Sequence, residues 1–255
     1  MTKRIALISD VHANLPALDA VLEEIDRRAV DATYHLGDLV GYAPWPNETV
    51  RRMRERGVVG VAGNYDSTVG HGYKHCGCQY EDPVQEAQSH ESFAWTCAHT
   101  GEDEKRWLRN LPFRLDVRLA GGHAGGPSLV LVHGAPTLNT VYWRVDRSDD
   151  FARQMIGLAG AKAGDLLAFG HTHVPWSRDV DGVRLVNTGS VGRPKDGDWR
   201  AGFVHVTHTE GTWEVEFVRV PYDIETARRG ILASTLPHAF ADYLSTGGKP
   251  TSATT

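Results

Sequence analysis

Five short segments of the chain carry side chains of metal-binding type: Asp10-Val11-His12, Gly37-Asp38, Gly63-Asn64, His133-Gly134 and Gly170-His171-Thr172-His173. They supply Asp10, His12, Asp38, Asn64, His133, His171 and His173, a donor set of oxygen and imidazole without sulfur. Such donors suit borderline first-row divalent ions: Mn²⁺, Fe²⁺, Co²⁺, Ni²⁺ or Zn²⁺. Seven ligands are too many for one such ion and right for two that share a carboxylate. Two ions about 3.5–4 Å apart clamp a phosphoryl group for in-line displacement, with a bridging water as nucleophile. No segment is informative alone. With 13 histidines in 255 residues, composition by itself gives roughly 0.7 chance H-x-H pairs. The default for a lone histidine is a hydrogen-bonded structural role. The information lies in five segments in order, each at the end of an apolar run.

Those runs are IALIS before Asp10, TYHL before Gly37, VVGVA before Gly63, LVLV before His133 and LLAF before Gly170. Apolar runs this short, closed by polar and turn residues, read as buried strands. Strands over 4–9, 32–38 and 58–64 alternate with helices over 15–29 and 46–57. The first helix places Leu15, Leu18, Val21, Leu22 and Ile25 at helical spacing behind an Asn14 cap, with Pro16 in its first turn. Gly57 closes the second. This β-α-β-α-β alternation predicts a sheet covered by helices, with ligand sites at the C-terminal strand ends. The glycines beside Asp38, Asn64, His133 and His171 are expected to turn the backbone sharply off each strand.

Residues 70–83 read as a loop, followed by helices over 84–100 and 102–111. Strands are expected over 113–119, 128–132, 165–169, 182–187, 201–207 and 212–219, and a last helix over 222–234. Asp181-Gly182 and Glu210-Gly211 mark hairpin turns. The expected organisation is one α/β domain over 1–243, with a loop and helical insertion at about 70–111. The polar tail 244–255 is expected to lack fixed structure.

A net charge of −5 and a pI near 6.2 give no basic excess for stable nucleic-acid binding. The N-terminal apolar run, Ile5–Ile8, is too short for a signal peptide, and no window approaches the roughly 18 apolar residues of a membrane span. A cytoplasmic protein with no membrane partner is expected. Cys76, Cys78 and Cys97 form no disulfide framework. They read as reduced thiols in the insertion. The other option, a soft-metal site with His75 as fourth ligand, needs all four groups together.

The ordered pattern D-x-H, G-D, G-N-Y-D, H-G and G-H-x-H resembles that of the calcineurin-like metallophosphoesterases over about residues 4–220. It is most similar to the small bacterial and archaeal phosphodiesterases with little beyond the core. The segment NTGSVGRP (187–194) is similar to an N-P-G-S segment those proteins carry, with Thr188 in place of proline. The resemblance implies a four-layer α-β-β-α sandwich of two mixed sheets flanked by helices. It implies one metal on Asp10, His12, Asp38 and His173, and a second on Asp38, Asn64, His133 and His171. Asp38 is shared, and a metal-bridging hydroxide attacks phosphorus. The implied cofactors are two divalent transition-metal ions, Mn²⁺ foremost. The implied substrates are nucleotide-type or other phosphodiesters, then phosphomonoesters. Small members are often dimeric, so a homodimer is also implied. The competing class is a binding module on the same fold, like the retromer scaffold subunit of eukaryotes. A scaffold is free to lose ligands, whereas all seven positions here hold competent ones.

One position departs from the family. In G-N-Y-D (63–66) Tyr65 stands where most members have a histidine near the leaving group, and Asp66 keeps the position that orients it. Tyr65 either donates a hydrogen bond itself, is replaced by His71 or His75, or is dispensable because the leaving group is good. The third reading is preferred, with Asp38, Tyr65 and Asp66 as catalytic candidates and Tyr65 as a positioning hydroxyl. Arg193, Tyr42 and Asn139 are candidate substrate contacts. Tyr142 is a further pocket candidate. Tyr42 and Trp45 either stack on a substrate ring or close their loop over the core.

Overall fold

In the computed structural model, which describes residues 2–80, 82–119 and 126–249, four of the five apolar runs become inner strands of two sheets and VVGVA becomes an edge strand. The chain begins β1 (Lys3–Ile8), α1 (Leu15–Arg28), β2 (Ala32–His35), α2 (Pro46–Glu55) and β3 (Val59–Gly60). Three helices follow: α3 (Asn64–His71), α4 (Pro83–His99) and α5 (Glu102–Arg109). Then come β4 (Leu115–Arg118), β5 (Ser128–Leu131), α6 (Asp149–Ala159), β6 (Leu166–Phe169), β7 (Trp176–Val180) and β8 (Val183–Asn187). The described part closes with β9 (Ala201–Thr209), β10 (Thr212–Val220), α7 (Ile224–Leu232) and α8 (Ala239–Thr246). The first sheet has the order β10-β9-β1-β2-β3, parallel from β1 to β3 and antiparallel at β9 and β10. The second has the order β4-β5-β6-β8-β7, parallel in the middle and antiparallel at both edges.

The inner strands are apolar on both faces because both faces are buried. Ile5 and Leu7 of β1, Leu129 and Leu131 of β5, and Leu166 and Ala168 of β6 pack together between the sheets. The alternate residues Ala6 and Ile8 join a second cluster with Leu18, Val21 and Ile25 of α1. Val130, Leu167 and Phe169 join a third with Ala152, Met155 and Ile156 of α6. Each fully buried Leu, Ile or Phe contributes about 1.5–3 kcal/mol. The architecture is α/β: two mixed sheets packed face to face, with helices on the outside.

Several elements differ from the sequence expectation. β3 is only two residues long, because Ala62 leaves the ladder to donate its N–H to Pro112 O. The chain then enters α3 at Asn64, a helix without clear apolar periodicity that starts under the Asp66 carboxylate. α6, β7 and α8 are additional to the expected elements. β7 carries Arg178 and Asp179 on a sheet edge, so nothing in it alternates cleanly. Both expected hairpin turns form with left-handed pairs, Asp181 and Gly182 (φ 49° and 79°) and Glu210 and Gly211 (φ 52° and 85°). The tail expectation is corrected over 244–249. α8 runs through Thr246, Leu244 is buried, and Gly247 O accepts the Gly197 N–H at 3.0 Å. The rest of that expectation, 250–255, lies outside the described residues. Among the described residues no helix is long and apolar enough to cross a membrane.

Candidate metal centre

All five strand-end segments meet at one edge of the paired sheets. Five of the seven expected ligands have left-handed backbones: Asp10 (φ 53°), His12 (49°), Asp38 (54°), His171 (66°) and His173 (61°). That conformation disfavours each by about 1 kcal/mol or more, so the surroundings must hold it. They do so by hydrogen bonds between loops. Asp10 N–H donates to Gly37 O at 2.9 Å and His12 N–H to Asp38 O at 3.0 Å. From the 187–194 segment, Gly192 N–H and Ser190 Oγ both donate to Asp10 O, at 3.0 and 2.7 Å. Thr188, where the resembled segment has proline, donates its N–H to Phe169 O at 2.8 Å.

The expectation for the glycines is corrected. Of the four beside ligands, only Gly37 has a positive φ (91°). Gly63 and Gly170 serve close approach instead. A Cβ on Gly63 would strike the Asp38 carboxylate, and one on Gly170 would strike Ser9 and Asp10.

Asp10, His12 and His173 form one group whose donor atoms lie within 4.8 Å of one another; Asp38, His133 and His171 form a second. Asp38 Oδ2 stands between them, 3.8 Å from His12 Nε2 and 3.5 Å from His133 Nε2. Asp38 Oδ1 accepts the Tyr65 N–H at 2.8 Å. Three imidazoles are oriented by backbone carbonyls. Nδ1 of His12 meets Val40 O at 3.0 Å, Nδ1 of His133 meets Leu36 O at 2.6 Å, and Nδ1 of His173 meets Arg193 O at 2.6 Å. Each of those Nδ1 atoms must therefore carry a proton, which leaves the Nε2 lone pairs facing inward. Nε2 of His12 and Nε2 of His173 lie 3.1 Å apart, and His173 Nε2 lies 3.2 Å from Asp10 Oδ1. Asp10 Oδ1 and His171 Nε2 are buried without a hydrogen-bond partner. Lone pairs converging this closely call for a cation, and oxygen and imidazole donors fit a borderline divalent one.

The two groups differ in charge. Burial and the neighbouring His173 bring His12 down to about 3, and burial holds His171 and His173 well below the usual imidazole range. Burial also opposes charge on His133, but the Asp38 carboxylate and the Leu36 carbonyl outweigh it and raise its pKa to about 9. Asn64 Oδ1 faces His133 Nε2 at 3.1 Å.

A cleft of about 1010 Å³ opens above the two groups. His12, Asp38, His171 and His173 form its floor; Tyr42, Tyr65, Tyr80 and Tyr142 give it aromatic walls, and Arg193 and Lys195 stand on one side. The Tyr65 ring lies edge-on to His12 at 5.5 Å and against Tyr42 and Phe93. Its hydroxyl is buried without a partner of hydrogen-bonding geometry, and burial raises its pKa well above 10. Arg193 spreads its guanidinium over the Tyr42 ring at 4.0 Å. Tyr42 thus lines the cleft with one face already covered. Trp45 closes over the core, packed against Gly230.

Two expectations and two of the alternatives fail here. Asp66 does not orient Tyr65. Its carboxylate accepts the Leu39 N–H at 2.8 Å and the Gly63 N–H at 3.0 Å, bracing the loops that carry Asp38 and Asn64. Burial and the Asp38 charge raise the Asp66 pKa to about 7. Asn139 lies outside the cleft, with its amide donating to Ser67 Oγ at 3.4 Å. His71 and His75 are exposed and outside the cleft, and His71 stacks on Tyr73, so neither replaces the missing histidine. Among the described residues no third ligand joins Cys76 and Cys78 to make a soft-metal site. Sequence reasoning missed Lys195, Tyr80 and Cys78 as cleft residues. Lys195 sits two residues past Arg193 and was open to notice; the 76–80 loop carries no periodic signal.

The calcineurin-like phosphoesterase superfamily domain matches residues 4–211. An uncharacterized protein of Methanocaldococcus jannaschii is 29% identical over 262 residues, covering 95% of this chain and 98% of its own. The crystal structure of a metallophosphoesterase from Sphaerobacter thermophilus superposes with a TM-score of 0.72 at 29% identity, covering 97% of this chain and 100% of its own. A hypothetical protein from Pyrococcus horikoshii shares the fold with a TM-score of 0.79 at 23% identity, covering 97% and 99%.

Proposed function

This chain belongs to the calcineurin-like phosphoesterase superfamily, and we propose that it is a phosphodiesterase using two divalent metal ions, Mn²⁺ foremost, on nucleotide-type or other phosphodiesters. One observation carries the reading: the buried donors of two groups converge about Asp38 at the floor of a wide cleft. Asp10, His12, Asp38 and His173 would hold one ion, and Asp38, Asn64, His133 and His171 the other. Ions in those places polarise the phosphoryl oxygens and lower the pKa of water.

The chain's own groups do the rest. Arg193 and Lys195 set positive charge beside the His173 end, where anionic phosphoryl oxygens gain from it. Loss of water around the ammonium and the Arg193 guanidinium lower the Lys195 pKa to about 8, still above neutral, so the side chain stays largely charged at pH 7. Tyr80 and Tyr142 supply aromatic surface for a base or aryl arm. Tyr65 keeps its proton at neutral pH and offers a hydrogen bond rather than a proton. General acid help is worth about 10²–10⁴ in rate, so its loss favours a leaving group that departs unprotonated. The full ligand set, with three of its imidazoles oriented by carbonyls, supports an enzyme over a binding module.

The test is hydrolysis of bis-p-nitrophenyl phosphate beside p-nitrophenyl phosphate, by metal-stripped protein refilled with Mn²⁺, with Asp38→Ala as control. Metal-dependent cleavage of the diester is expected, with the variant inactive. Preference for the monoester would make the protein a phosphatase. Silence on both, with two ions bound, would move it to the binding class.

A further inference from the structure

Asn64 reaches the second group with an amide, and an amide has two ends of opposite polarity. Only Oδ1 can bind a cation; a flip of the side chain would point N–H groups at it. The two ends must be told apart by their other partners. Both Asn64 Nδ2 contacts come from one loop. Nδ2 donates to Cys76 O at 3.1 Å and to Cys78 Sγ at 3.2 Å, leaving Oδ1 toward His133. The reversed amide would set its oxygen against the Cys76 carbonyl oxygen, with no hydrogen bond there, and would have only the weak S–H donor of Cys78 to meet it. The loop is itself closed: Cys76 Sγ accepts the Cys78 N–H and meets Tyr80 Oη, each at 3.4 Å. Cys78 and Tyr80 both line the cleft. Three imidazoles of the centre, His12, His133 and His173, are fixed by backbone carbonyls outside that loop.

We infer that Cys78 is a positioning residue for the second metal site, its thiol holding Asn64 with Oδ1 turned inward, so that the 76–80 loop sets the affinity of that site without ligating the ion. This rests on the two-metal reading above. Cys78 Sγ belongs to neither donor group. Serine at 78 keeps an acceptor for the amide; valine and alanine do not.

The experiment is titration of metal-free protein with Mn²⁺ by calorimetry and with Co²⁺ by visible absorption. It compares the wild type with Cys78→Ser, Cys78→Val, Cys78→Ala and Asp38→Ala. Thermal unfolding of each metal-free form reports which variants fold. Outer partners of metal ligands typically contribute about 10–100-fold in affinity. Valine and alanine should therefore weaken the second equivalent by about tenfold or more and alter only its Co²⁺ bands. The first equivalent should bind as in the wild type, and serine should restore most of the loss. The inference is overturned if a folded valine or alanine variant binds both equivalents normally, if both weaken together, or if serine behaves like valine. Asp38→Ala separates the two readings. If it keeps both ions, the reading in which Asp38 joins the two sites fails. If it loses both while the Cys78 variants lose nothing, only the thiol clamp fails.

Discussion

His12 and His133 stand on opposite sides of Asp38, yet the surroundings prepare them differently. On the His12 side, three backbone-locked donors, Asp10, His12 and His173, crowd together with imidazoles that burial keeps neutral. On the His133 side, the imidazole Nε2 faces Asn64 Oδ1, and Asn64 is held by a loop from the insertion. The first half-site is made by strand ends and the 187–194 segment alone. The second is completed by a piece of chain outside the sheets. The difference separates what the sandwich supplies from what the insertion adds: one donor group built by the core alone, and a second that a contact from outside the sheets completes.

The variant with the largest expected effect removes the residue common to both. Asp38→Ala should lose both ions and lower diester hydrolysis by more than about a thousandfold, an upper-range electrostatic effect; metal analysis with a turnover assay checks it. One step down, His12→Ala and His133→Ala should each leave one ion and lower activity by about 10²–10³. Equal loss of both ions in either variant would erase the distinction between the sides. Next, Tyr65→His should raise turnover of poor leaving groups, by up to about 10², and that of good ones much less. A leaving-group series reads the slope.

Arg193→Ala should be milder. The His173 ring is held by the Arg193 backbone carbonyl, which the substitution keeps. KM for the diester should rise about tenfold, or about 1.4 kcal/mol, with two ions still bound. The smallest effect is on metal-free stability against pH, and it has opposite signs on the two sides. His133, raised from 6.5 to about 9, contributes stability that is whole below pH 6.5 and lost as pH rises to about 9. His12, lowered to about 3, contributes stability that is present above pH 6.5 and lost as pH falls toward 3. The metal-free Tm should fall between pH 6.5 and 9, and His133→Asn should flatten that fall.

The same division explains what could be read in advance. β1, β5 and β6 are legible because burial on both faces leaves a bare apolar run, and a ligand follows each run directly. The candidate donors that the fold brings together were readable by type and order, since chemistry restricts them. Their left-handed backbones were not, because the conformation of Asp10 or His173 is imposed by hydrogen bonds from distant segments. The role of Asp66 was misread for the same reason: its partners, Leu39 and Gly63, are neighbours only in the fold. α6 was within reach. Ser148 caps Phe151 N, Gly160 ends the helix left-handed, and Ala152, Met155, Ile156 and Ala159 share the buried face. α3 and the 76–80 loop were not, because contacts with Asp38, Asn64 and Tyr80 define them rather than any local period.

The most direct test of the shared-carboxylate centre is anomalous diffraction from crystals grown with Mn²⁺. Two peaks are expected about 3.5–4 Å apart. Asp38 should ligate both, His12 and His173 one, and Asn64, His133 and His171 the other. A single peak, or a second one that Asp38 does not touch, would contradict the account.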